Sequence, residues 1–389
     1  MDTTSAGRSS GVVVPYRAQA SVEGKRVAES DAAVRVDRPG TAPLLWFPRA
    51  DVDPEALDTL DAHAWQAGDG DLADHVAFDF ERVDLSLVDA APGGDERDAT
   101  IKRFPTWGDA VDLVDVMDVR PESETHFVSP ARADWRRPVV EGSQMLGQAI
   151  VAGSRYTGGR RAVSASMVFT RAASAQAPYA IDLDPVSSGR TFAALGVRVT
   201  QGERTCAAGT LLMDVTAPDV IRHGDAMPDV AGPYDSTPYD MSVTGRDLRI
   251  VDDAYTGDSH APVGPPVLDT WVRFRDLPDD PAIHAGLVAQ FTGHMSIAAG
   301  LRPHAGIGQD QAHVTLSTAI SAISFSLHTA VRADQWLLYH HHSTFAGDGM
   351  THSECRVYEE AGALVASFTV DAMVRAFDDP SRGDARTAL

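Results

Sequence analysis

The chain has 389 residues, 43% hydrophobic and 23% charged, enough apolar material for a sizeable core in two or three domains. Its formal net charge of −22, from 33 basic and 55 acidic residues, makes a field that repels phosphate backbones and argues against nucleic acid as a partner. Two isolated cysteines, Cys206 and Cys355, give neither a disulfide framework nor a metal spacing, and they fit a reducing, cytoplasmic setting. No apolar run is long enough to cross a bilayer, so no membrane partner is expected. The opening MDTTSAGRSSGVVVPYRAQ lacks the apolar core of a signal peptide.

Residues 1–16 are small and polar and read as a disordered tail. AQASVEGKRVAESDAAVRVD (18–37) alternates apolar and polar residues around a Glu-Gly turn, which predicts a β-hairpin. LLWFPRADV (44–52) and DHVAFDFERVDL (74–85) read as two further strands, so 17–88 is expected to be a small all-β domain. DAAPGGDERD begins a linker over 89–106. Through VEGKRVAES, WFPRADV and HVAFDFERVD, this part resembles the small all-β domain of unknown function family 427. The Cys-Pro-Tyr-Lys-Gly segment usual in that family is replaced by DTLDAHAWQAGDGDL (58–72), so the resemblance implies a structural or docking role.

VEGSQMLGQAI (140–150) predicts a helix with Ser143 as its N-cap and Gly158–Gly159 as its end. Long strands of alternating small and large residues follow to 214. A connector dense in Pro, Gly and Asp then spans 216–266, within which MSVTGRDLRIVD (241–252) alternates like a strand. Asp279–Asp280–Pro281 starts a second helix, with acids at its positive end and proline in the first turn, and Gly300 lies near its end. Ala312–Arg375 reads as three or four strands. The order of helix then sheet therefore occurs twice, over 107–215 and 267–376, before a short tail at 377–389.

The run from DAVDLVDVMDV (109–119) through VEGSQMLGQAI, the F-x-R of Phe169 and Arg171, SGRTFAALGV (188–197), LRPHAGIG (301–308), QWLLY (335–339) and GALVASFTVDAMVR (362–375) resembles the acyl-CoA thioesterase II family over 107–376. The resemblance implies an α+β fold, a double hotdog in which two antiparallel sheets each wrap a long helix. It implies an acyl-CoA or other acyl thioester as partner and hydrolysis without a cofactor or metal. Assembly into a homo-oligomer is compatible with it.

In that family a carboxylate, a hydroxyl and an amide position and activate a water against the thioester. The corresponding positions here fall on Gly293, Ile320 and Val370, none of which can move a proton or hold a water. One residue beyond each lie His294, Ser321 and Asp371, which could act together if every shift were genuine. Against this, a one-residue shift in a strand reverses the face. Thr318 is a further hydroxyl candidate. Without such a rescue, the resemblance implies a non-catalytic acyl-thioester binding, carrier or sensor protein.

Two other groups carry two readings each, and Arg171 carries one. Arg160, Arg161 and Arg302 follow the two helices and are either anchors for coenzyme A phosphates or solvated loop ends. His340, His342 and His352 are a loose three-histidine set or solvated strand residues. Arg171 is expected to pair with a carboxylate at the repeat interface.

Overall fold

The computed structural model describes residues 12–14, 16–36, 44–89, 100–104, 110–131, 139–239, 246–254, 259–275 and 277–377. The chain divides into two compact units. One is 1–109 with the short stretches 133–136 and 240–245, and the other holds the remainder. The proposed tails at 1–16 and 377–389 and the linker at 89–106 fall mostly outside the described residues.

The first unit contains a five-stranded and a four-stranded sheet. The expected hairpin is Arg17–Val22 paired with Lys25–Ser30, and its turn places Glu23 and Gly24 at φ of 50° and 79°. Both central turn residues are thus left-handed, which matches the twist of the flanking strands. Ala18, Ala20, Leu45, Phe47, Val76, Leu85 and Leu87, drawn from both sheets, share one buried core. The single α-helix described in this unit, α1, is Pro54–Thr59, capped by the Asp53 carboxylate.

The second unit is built on a thirteen-stranded sheet in which all neighbours pair antiparallel. Its centre is the pairing of Arg161–Phe169 with Leu316–Leu327, the first long strand after the helices of each half. Four helices accompany it: α2 (Ala110–Met117), α3 (Gly142–Tyr156), α4 (Pro281–Phe291) and α5 (Ser296–Leu301). α3 packs on the strands of the first half, α5 on those of the second, and α4 lies against α3. No described helix is long and apolar enough to cross a membrane.

Two helix expectations are corrected. Ser143 does not cap α3. The N-cap is Glu141, and Ser143 is buried inside the first turn. The second helix is broken into α4 and α5. Thr292 Oγ1 donates to Ala289 O at 2.6 Å, and Met295 adopts φ of 66°, so the ladder stops and restarts at Ser296. The start of α4 is as expected, with Asp280 Oδ1 accepting from the Ala282 N–H at 2.9 Å.

Glycine sets the approach of α3 to α4. A Cβ on Gly147 would lie 2.4 Å from the Gly286 carbonyl oxygen, and one on Gly286 would lie 2.9 Å from Val151 Cγ2. The Gly147 obstacle is backbone and the Gly286 obstacle is a side chain. Gly147→Ala should therefore cost more stability than Gly286→Ala, on the order of 1–3 kcal/mol for an overpacked core. Chemical denaturation of the two variants, compared at unchanged slope, checks the ranking.

Candidate functional site

The antiparallel pairing of α3 and α4 brings the beginning of α3 to the break after α4. There the Glu141 carboxylate accepts from Gln290 Nε2 at 3.2 Å and lies 3.3 Å from His294 Nε2. The His294 side chain is 10% exposed and that of Glu141 24%, so the pair is sheltered but reachable. His294 also rests against the Phe291 ring, with centroids 5.0 Å apart. Phe169 of the F-x-R motif covers the first residue of α3, since a Cβ on Gly142 would meet its ring at 2.8 Å.

A carboxylate facing Nε2 selects the tautomer that carries its proton there, which leaves Nδ1 with a lone pair. The positive end of α3 favours the Glu141 anion. An imidazole held this way by a carboxylate can take a proton from a bound water or hydroxyl.

Beyond His294 lies a second polar group, fully buried. Ser296 Oγ is 3.1 Å from His341 Nδ1, and Cys355 Sγ is 3.5 Å from the same nitrogen. Burial lowers the His341 pKa to about 3, with the neighbouring His340 and His294 adding to the effect. Burial also pushes the Cys355 thiol up to about 12. Both are therefore neutral at ordinary pH, and the group acts as a polar knot that joins α5 to the sheet.

Of the expected trio, only His294 stands at this site. Asp371 is bonded to His352, with Oδ1 2.7 Å from Nδ1, and its side chain is 51% exposed. Along Leu364–Ala376 the buried residues Phe368, Val370 and Ala372 alternate with Asp371, so Asp371 looks away from the core. No ion pair joins it to His294. Ser321 is the extra residue of a bulge, where Ile320 pairs with Ala372 and Ala322 with Asp371. Thr318 is buried in the same strand. Gly293 has a spatial reason: a Cβ there would lie 2.3 Å from Ser143 Oγ, so no carboxylate fits.

The arginines have local partners. Arg160 donates to Gly189 O at 2.9 Å, and Arg161 donates to His328 O at 3.1 Å and faces Asp214. Arg302 donates to Val267 O and packs on Gly264, beside a cavity of about 40 Å³ lined by Leu268, Ala298, Leu301 and Ile307. Arg171 is exposed and makes no ion pair among the described residues, contrary to expectation. His340 pairs with Asp269 at 2.7 Å, His352 with Asp371, and His342 is exposed. Among the described residues no set of three His, Cys, Asp or Glu is placed to hold a metal.

Sequence reasoning missed Glu141 and Gln290, which are 149 residues apart. The only local signal is the acid directly before the Gly-Ser that opens α3.

The family profile for the acyl-CoA thioesterase C-terminal domain matches residues 223–374, and that for the N-terminal domain matches 131–213. The chain belongs to the acyl-CoA thioesterase II family. Acyl-coenzyme A thioesterase 8 of Mus musculus is 23% identical over 261 residues, 60% of this chain and 79% of that protein. The acyl-CoA thioesterase II TesB2 of Mycobacterium marinum superposes with a TM-score of 0.56 at 22% identity, covering 68% of this chain and 99% of that one. A hot dog fold protein from Alicyclobacillus acidocaldarius superposes with a TM-score of 0.53 at 15% identity, covering 68% and 98%. The thioesterase unit thus has a hotdog fold.

Two outcomes follow from this geometry. Asp371→Asn and Ser321→Ala should leave thioester turnover within about twofold of the parent, because neither side chain reaches the His294 pair; steady-state thiol release measures this. His341 should make the protein acid-sensitive. Its folded pKa lies below the ordinary 6.5, so the unfolded chain binds the extra proton and stability falls as pH drops from about 6.5 toward 3. The slope is at most about 1.4 kcal/mol per pH unit, and it should be shallower in His341→Gln, as urea midpoints across that range would show.

Proposed function

We propose that this chain hydrolyses an acyl-CoA thioester, with His294 as the general base and Glu141 as the residue that orients it. The observation that carries this is the Glu141–His294 contact of 3.3 Å at the start of α3. Water loses a proton to His294 Nδ1 as its oxygen attacks the thioester carbonyl. The C–S bond then breaks, and the imidazolium returns the proton to the departing thiolate. The first N–H groups of α3 lack intrahelical partners and favour the developing oxyanion. The fold belonging to this reading is a double hotdog, with α3 and the α4–α5 pair as its two central helices. Arg160, Arg161 and Arg302, at the ends of the two helical segments, are assigned to the coenzyme A phosphates; the partly exposed guanidinium of Arg161 supports this.

A second reading is an acyl-thioester binding or carrier protein. It is favoured by Gly293, Ile320 and the buried Val370, which replace the proton-moving groups of the family.

Thiol release from a panel of acyl-CoA substrates separates the two. Under the hydrolytic reading His294→Ala should lower kcat by about 10²-fold or more, and Glu141→Gln should lower it less, because an amide oxygen at that position can still accept from Nε2–H. Turnover unaffected by His294→Ala would remove the base. Tight acyl-CoA binding without turnover in the parent would establish the carrier.

A further inference from the structure

Two buried polar atoms beside the His294 pair are unaccounted for. Ser143 Oγ and Gln290 Oε1 have no hydrogen-bond partner, although Ser143 is 1% exposed and Gln290 2%. Buried polar atoms are nearly always satisfied, by protein or by ordered water. The Gln290 amide is oriented by the Glu141 carboxylate, to which its Nε2 donates at 3.2 Å; a flip would bring Oε1 to the place now 3.4 Å from His294 Nε2 but would set two oxygens against each other at the shorter contact. Oε1 is therefore fixed as an acceptor. The two atoms are not bonded to each other, yet they share one locality. Gln290 is one helical turn before Gly293, and Gly293 abuts Ser143 Oγ so closely that a Cβ would lie 2.3 Å from it. Ser143 is in turn two residues after Glu141, on the first turn of α3.

We infer that Ser143 and Gln290 together hold the hydrolytic water and aim it, a role that rests on His294 being the base. The valences close. Water donates one hydrogen to Gln290 Oε1 and the other to His294 Nδ1. It accepts from the Ser143 hydroxyl on one lone pair and keeps the second for the thioester carbonyl, within the two to four partners that a buried water requires. Attack forms the C–O bond and breaks C–S; the proton passes through His294 to the thiolate, and acid and thiol leave. Ser143 and Gln290 are thus positioning residues, and a serine in place of an N-cap and a glycine in place of the family carboxylate become parts of one arrangement.

The test is a competition between water and hydroxylamine for the acyl group, followed as free acid against acyl hydroxamate. Hydroxylamine is a far stronger nucleophile than water and depends less on being aimed and deprotonated; its uncatalysed reaction with the thioester is measured and subtracted. In Ser143→Ala, hydrolysis should fall on the order of tenfold while hydroxamate formation is nearly retained, so the product ratio shifts by about the same factor. Gln290→Met, which keeps the side-chain length, should shift the ratio in the same direction, and it carries the test if Ser143→Ala does not fold. A ratio unchanged in both variants, whether both products fall in parallel or neither falls, overturns the inference and leaves the His294 base standing. A parent enzyme that releases no thiol above the uncatalysed rate with either nucleophile overturns the hydrolytic reading and this inference with it.

Discussion

The contact on which the thioesterase unit depends is the crossing of α3 and α4 at Gly147 and Gly286. With no side chain between them, the two backbones approach until a Cβ on either would be in collision. The crossing is antiparallel, so three levels are set at once. Arg155 lies 3.6 Å from Asp280 at one end, the glycines meet in the middle, and Ser143 meets Gly293 at the other. A larger residue at the middle level would separate the ends, and the Glu141–His294 contact would be lost with them.

The two helices handle buried polarity differently. α3 is continuous and carries two buried glutamines. Gln144 donates to the Tyr179 hydroxyl at 2.9 Å, Tyr179 donates to Gln148 Oε1 at 2.5 Å, and Gln148 Nε2 donates to Val116 O and Ser129 Oγ. This network is closed and leaves nothing to react. The α4–α5 segment breaks instead, and the break is where polar side chains face one another with atoms unsatisfied. Against α5, through Ser296, the sheet sets a neutral imidazole and thiol, His341 and Cys355, whose burial suppresses their charge. The break after α4 thus faces the start of α3, and unsatisfied polar atoms from both halves meet there.

Outer-face polarity follows a separate rule. His126 pairs with Asp182, His340 with Asp269 and His352 with Asp371, each directly opposite across neighbouring strands. Such cross-strand pairs stabilise register. They also explain why a histidine and an aspartate can look catalytic in the linear chain and still have no part in the site.

The chain by itself determined the order of elements, because helix and strand periodicities and their stop residues are local. Pro281 after two acids starts α4, Gly158 and Gly159 end α3, and alternation over 162–214 and 316–376 makes strands. The sequence also pointed to His294, as the imidazole beside Gly293. Only the tertiary structure decided its partner. Strand parity sends Asp371 outward to His352, a bulge displaces Ser321, and helix crossing brings Glu141 and Gln290 together from the two halves. Residues so far apart in the chain meet because two glycines permit their helices to touch, and a contact of that kind leaves no periodic trace in the sequence of either partner.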